Sequence, residues 1–326
     1  MAPWTGPGCA SPETHGTGVI VMDLTTLYHR TVESWAARVN AVGDDQWDEP
    51  TPCAGWTVRD LANHVVGEDR WTPPLLAGST IDDVGDRFDG DLLGDDPIGS
   101  ALAAARGAAE SVARALPEDP VVHLSYGDES AAEYVRQLAA DHLVHGWDIA
   151  VSTGGDRRLD PHLVAEVAAW FSGREDLYRA AGIIGPRAGA AGDAQGELLA
   201  AFGRDPHWGP AHAAATRFSE AFGRLDVDAV MALMTDDCVF EATGPAPDGL
   251  RHEGAAAVRR QWEELVAGTT DPAFEQEDLT VAGDRAVLRW RYSWAEADGS
   301  RGHVRGVDLL RLRDGKVCEK LSYVKG

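Results

Sequence analysis

Residues 51–66 read TPCAGWTVRDLANHVV, and residues 141–148 read DHLVHGWD. In the first stretch Thr57 can cap a helix, with Asp60 three residues on answering it as a short form of the capping box. The helix it opens runs through LANHVVGEDRW to Pro73 and carries His64. In the second stretch Asp141 and His145 stand four residues apart, which places a carboxylate and an imidazole on one helical face, ~6 Å apart at Cβ. Such a pair is either a surface contact or half of a metal site. If His64 closes a third corner from a neighbouring helix, two imidazoles and one carboxylate suit zinc, with a fourth position open to water or substrate. Nickel, iron and manganese accept the same donors. His142 is a rival ligand, although it points ~100° away from Asp141 around the helix. Asp148 either orients His145 or is a solvated charge.

Working outward, Leu27, Val32, Trp35, Val39 and Val42 recur at helical spacing and predict a helix over 24–42. A Gly- and Asp-rich connection at 77–97 leads to a third helix over 98–116, ended by Pro117. The helix bearing Asp141 and His145 spans 130–152 and stops at Gly154–Gly155. A fifth, 163–181, begins behind Asp160 and Pro161 as cap and first residue. Residues 182–210 are dense in Gly, Ala and Pro and read as a linker with one short helix. The pattern then changes: short helices at 211–225 and 227–234, a strand at 238–243, a helix at 255–268, and period-2 segments at 274–283, 285–297 and 301–324. The turns AGDR, EADGS and RDGK are hairpin signals. The expected fold class is multi-domain: an all-α four-helix-type bundle over 22–181, then an α+β cone-shaped barrel over 211–326. Residues 1–21 read as a disordered extension, with Met22 as the natural start.

A net charge of −24 on 326 residues disfavours phosphate backbones and anionic lipid, so neither nucleic acid nor membrane is an expected partner. Residues 41–130 alone hold 19 Asp and Glu against 5 Arg, which reads as a solvated acidic surface. No apolar run approaches a membrane span, and the start lacks the basic and apolar blocks of a secretory signal, so a cytoplasmic location is expected. Cys9, Cys53, Cys238 and Cys318 form no CxxC pair and indicate neither disulfides nor a cysteine zinc site. Cys53 reads as a packing residue beside the suspected site.

The GWTVRDL-x-x-H phrase, followed about eighty residues later by a carboxylate-x-x-x-H-x-W-D phrase, resembles the DinB-like superfamily, in particular its mycothiol-dependent maleylpyruvate isomerase branch. The likeness spans about residues 22–206, including the closing LLAAFGRDPHW. It implies a four-helix bundle holding a divalent metal, usually zinc, on His64, Asp141 and His145, with Asp where the isomerase has Glu. It also implies that the ion activates the thiol of mycothiol, or another small thiol, for attack on an electrophile. Trp56, Arg59 and Trp147 flank the ligands and are candidate substrate contacts, Arg59 as a grip for a carboxylate.

Residues 211–326 resemble the SnoaL-type, polyketide-cyclase-like members of the nuclear transport factor 2-like superfamily. The carriers are FSEAFGRLDVDAVMALMTDDCVFEA, HEGAAAVRRQW and RGVDLLRLRDGKVCEKLSYVKG. The resemblance implies a bent sheet round a helix with an apolar funnel. On the strand LRWRYSWAEA, Trp290, Tyr292 and Trp294 share a face that lines a pocket for a flat ligand, or is simply core or a dimer face. Asp308 lies on an otherwise apolar face, where a carboxylate is costly unless paired or used, and is the candidate catalytic acid/base. His252 and His303 are its candidate partners. The whole reads as a metal-dependent, thiol-using isomerase or S-transferase acting on a small electrophilic or polyketide-like substrate. The rivals are catalysis confined to the cone, with the bundle a relic, and a non-enzymatic ligand-binding protein. A homodimer through the cone is compatible with either.

Overall fold

The computed structural model describes residues 22–189 and 192–325; the extension expected over 1–21, and Cys9 with it, lies outside them. The chain begins with α1 (Leu24–Val39), α2 (Val58–Leu76), the single turn α3 (Ile81–Val84) and α4 (Pro97–Ala115). A hairpin of β1 (Val121–Leu124) and β2 (Gly127–Ser130) then leads into α5 (Ala131–Thr153). Four long helices form the bundle: α1 packs on α5 and α4, and α2 packs on the same two. The apolar spacing of α1 buries Leu27, Val32, Trp35 and Val39, while α2 buries Val58, Leu61, Val65 and Val66. Helix α5 is buried along most of its length. It reaches α1 closely at Gly146, where an added Cβ would stand 3.4 Å from the Trp35 Cα.

Local chemistry sets the helix ends. Thr57 and Asp60 make the expected reciprocal cap on α2. Ser130 caps α5, and Gly154 ends it in the left-handed conformation with φ 74°. Two details differ from the sequence reading. Pro73 and Pro74 do not stop α2, because they sit in its last turn, where buried Leu75 and Leu76 hold the chain against the core. The fifth helix breaks at 172–174 into α6 (Pro161–Phe171) and α7 (Glu175–Ala180). The segment read as a linker contains α8 (Ala194–Ala201), whose Leu198 and Leu199 join the bundle core.

The second unit comprises α9 (Pro210–Gly223), α10 (Val227–Ala232), β3 (Met234–Glu241), β4 (Arg251–Glu253), α11 (Ala255–Ala267), β5 (Ala273–Ala282), β6 (Arg285–Ala295), β7 (Arg301–Arg313) and β8 (Lys316–Val324). Its six strands run in the order β4-β3-β8-β7-β6-β5. The β3–β8 pair is parallel and the others antiparallel. Helix α9 lies across β5 to β8, and α11 covers β3 and β4. Phe218, Phe222, Phe240, Trp262, Phe274 and Trp290 fill the interior. Trp290 stands opposite Gly306, and a Cβ on that glycine would come within 2.4 Å of the indole, so the strand pair closes only with glycine there.

Candidate metal centre

His64 lies on α2 one position short of the buried Val65–Val66 pair and is left half-buried at the edge of the bundle. Asp141 and His145 come from successive turns of α5. The His145 Nε2 lies 3.2 Å from Asp141 Oδ1, and the His64 Nε2 lies 3.6 Å from Asp141 Oδ2. All three donor atoms fall within 4.8 Å of one another. Donors ~2.0–2.1 Å from a tetrahedral zinc stand about 3.3 Å apart, so the arrangement fits a zinc-sized ion. A second observation agrees: Asp141 Oδ2 is buried and accepts no hydrogen bond. Burial opposes ionisation of Asp141, but His145 and His64 outweigh it and hold the carboxyl well below its ordinary range. Burial likewise opposes charge on His145, and Asp141 overrides it, holding the imidazole well above its ordinary value.

Behind His145 is a buried anchor. The ring Nδ1 donates to Asp148 Oδ2 at 2.9 Å, and Asp148 is fully buried. This settles the sequence alternatives for Asp148 in favour of the orienting role, since its partner contact fixes which imidazole nitrogen faces Asp141. Asp148 is in turn held by Arg204, whose Nη2 and Nε lie 3.0 and 3.2 Å from Oδ2. Burial would raise the Asp148 carboxyl; the Arg204 guanidinium and the His145 contact together outweigh it and hold the group below its ordinary value. Arg204 Nη2 also lies 3.1 Å from the Cys53 sulfur. Cys53, His145 and Asp148 form a second close trio, but the fixed guanidinium charge against both Cys53 and Asp148 disfavours a cation there. Asp148→Asn is expected to weaken metal binding ~10–100-fold, measured by competition with a chromophoric chelator; unchanged affinity would show that the anchor does nothing.

The centre opens on a cavity of about 770 Å³. Trp56, 37% exposed, stands at its edge with its ring centre 5.1 Å from that of His64. Glu68 lines the same cavity one helical turn beyond His64. Burial and the nearby Asp141 charge raise its carboxyl, partly countered by His64. Sequence reasoning missed Glu68 and Arg204. The first carries the same i, i+4 signal that singled out Asp141 and His145; the second stands in the closing LLAAFGRDPHW phrase, which carries the resemblance but does not announce a contact with Asp148.

The other expected contacts lie as follows. Arg59 turns away to donate to Asp91 at 2.8 Å and the Gly94 carbonyl at 2.9 Å, so it does not grip a ligand in the cavity. Trp147 is fully buried in the bundle core with the Arg157 guanidinium over its ring, because two residues beyond His145 is ~200° round the helix. Trp290 packs inside the cone against Phe274. Tyr292 and Trp294 are partly buried beside each other, with the Trp294 indole donating to Glu296. Asp308 is fully buried and meets neither His252 nor His303. Its partners are Lys320 Nζ at 2.9 Å and the Ser322 hydroxyl at 2.6 Å. Burial pulls the Lys320 ammonium below its ordinary value despite Asp308, and its Nζ sits 4.9 Å from the Phe240 ring centre.

Residues 28–150 match the family model described as the mycothiol maleylpyruvate isomerase N-terminal domain, and residues 215–320 match that of the SnoaL-like domain. Two uncharacterized proteins of Mycobacterium tuberculosis strains are each 33% identical over 154 residues, covering 44% of this chain and 75% of the relative. Among solved structures, a nuclear transport factor 2-like protein of unknown function from Mesorhizobium loti is 42% identical, with a TM-score of 0.32 over 36% of this chain and 92% of its own. Another of unknown function, from Cytophaga hutchinsonii, is 16% identical, with a TM-score of 0.31 over 34% of this chain and 96% of its own.

Proposed function

We propose, from the premise that this chain belongs to the mycothiol maleylpyruvate isomerase N-terminal domain family over its helical part and carries a SnoaL-like domain behind it, that it is a metal-dependent isomerase or S-transferase using a small thiol, mycothiol among them. The observation that carries the reading is the convergence of His64, Asp141 and His145 on the wall of one cavity. These three residues would hold the ion, zinc in the first place. When bound, such an ion supplies a Lewis acid that lowers the pKa of a thiol or water beside it. The chain's own residues do the rest. Asp148 and Arg204 keep the His145 ring aimed. Glu68, raised by burial, can take up and return a proton inside the cavity. Trp56 narrows the entrance. The substrate is a small electrophile.

The test is elemental analysis of the full chain, then loading with cobalt and titration with a small thiol. One ion per chain and a sulfur-to-cobalt charge-transfer band are the expected results. Absence of metal sinks the reading. A second reading puts the chemistry in the cone, favoured by the buried Asp308–Lys320 pair. Full turnover after chelation, with loss on Asp308→Asn, would select it.

A further inference from the structure

We infer that Asp69 and His142 are positioning residues, whose buried contact fixes the register of α2 against α5 and thereby sets His64 against Asp141 and His145. The role rests on the metal reading proposed above and adds two residues to it, neither of which lines the cavity. Asp69 lies on α2 five residues beyond His64, and His142 follows Asp141 directly on α5. Both side chains are fully buried, with His142 Nε2 3.2 Å from Asp69 Oδ1. The contact is not aligned as a hydrogen bond, and neither Asp69 oxygen accepts one elsewhere. Among the described residues the imidazole is thus the group that Asp69 pairs with. The ring is itself held in place. Its Nδ1 donates to the Leu138 carbonyl at 2.7 Å, one turn back on α5. The Tyr28 and Trp35 rings of α1 meet it edge to face, their centres 5.7 and 5.6 Å away.

The donor set needs such a fixture. Helix α2 meets α4 more extensively than it meets α5. Its buried side chains near the site are mostly aliphatic, Leu61, Ala62, Val65 and Val66 among them, and apolar attraction has no direction. Packed helices can shift past one another by a full turn, ~5.4 Å along the axis. That exceeds the 3.6 Å now separating His64 Nε2 from Asp141 Oδ2, so such a slide would take His64 out of reach. The same slide would strand a buried carboxyl without a partner, which is far costlier than leaving it paired. One polar contact in an otherwise apolar seam therefore selects one register, as a lone polar residue does in a coiled coil.

The test compares three changes in the full-length chain. Asp69→Asn keeps a polar contact with Nε2, Asp69→Ala removes it, and Asp69→Leu with His142→Leu replaces it by apolar packing. Zinc affinity is measured by competition with a chromophoric chelator. The metal-free chain is examined for a nuclear Overhauser effect between the His64 and His145 rings, whose centres are 5.1 Å apart. Asp69→Asn is expected to keep the parental affinity and the Overhauser contact. The alanine variant and the leucine pair are each expected to lose about tenfold or more in affinity, the usual scale for losing a group that orients a donor, and to lose the contact. The leucine pair is expected to do so at the parental urea unfolding midpoint, because replacing both members of a buried pair is often neutral for stability. A leucine pair that keeps both affinity and contact overturns the inference. If that pair does not fold, an alanine variant that keeps both overturns it, as does an asparagine variant no better than the alanine one. A parental chain that keeps no zinc sinks the metal reading alone, and the Overhauser contact across the metal-free series then decides the role of Asp69 and His142.

Discussion

His64→Ala and His145→Ala are each expected to drop the metal content of the purified chain from one ion to near zero. Each replacement removes one of three protein donors and leaves a carboxylate and a single imidazole. Loss of a direct donor exceeds the ~10–100-fold penalty for losing a group that merely orients one. The fold should survive in the His64 variant, whose side chain is 31% exposed at the cavity wall. Its unfolding midpoint should therefore stay within the range of ordinary surface substitutions. His145 is more buried and hydrogen-bonded to Asp148, so His145→Gln is the companion variant that keeps bulk and polarity. Asp141→Glu is expected to keep the metal, since the longer carboxylate is the residue the resembling isomerases use. Elemental analysis after exhaustive dialysis decides the matter: full stoichiometry in either alanine variant means that the three side chains share no ion.

Lys320→Met is expected to destabilise the cone by about 3–5 kcal/mol, read from the shift of its urea unfolding midpoint. Asp308 would then be left fully buried with the Ser322 hydroxyl as its remaining partner. Much of the loss is the cost of an uncompensated charge rather than the worth of the pair. The double variant Lys320→Met with Asp308→Leu is therefore expected to recover most of the stability. A single variant as stable as the parent would mean that Asp308 is hydrated or neutral. A double variant as poor as the single one would mean that the polar pair itself packs the interior.

The helices that hold the site were legible because their signals are local. Thr57 and Asp60 mark a start, apolar residues mark a face, and the four-residue step from Asp141 to His145 marks a shared side. The hairpin over 121–130 was not legible, since each strand has four residues and Ser125 and Tyr126 make the turn without an Asn-Gly or Asp-Gly signal. Trp147 was misplaced by nearness in sequence, although helical geometry already turned it away. Lys320 could have been found. The turn RDGK sets the β7–β8 pairing, in which Asp308 faces Ser322, and Lys320 lies two residues back on the same face. Arg204 could not, because 56 residues separate it from Asp148 and nothing in its Gly- and Ala-rich neighbourhood announces a buried ion pair.

That ion pair changes what counts as the smallest working piece of the molecule. All three donors lie upstream of residue 150, so a fragment ending at 181 would look complete on paper. It would nevertheless lack the guanidinium that neutralises Asp148 and would leave that buried carboxylate, in its longest helix, to His145 and Cys53 alone. Assembly of the centre therefore waits on the arrival of a segment outside the bundle proper, and the helical part and its trailing stretch must be inherited, cut or transplanted as one unit.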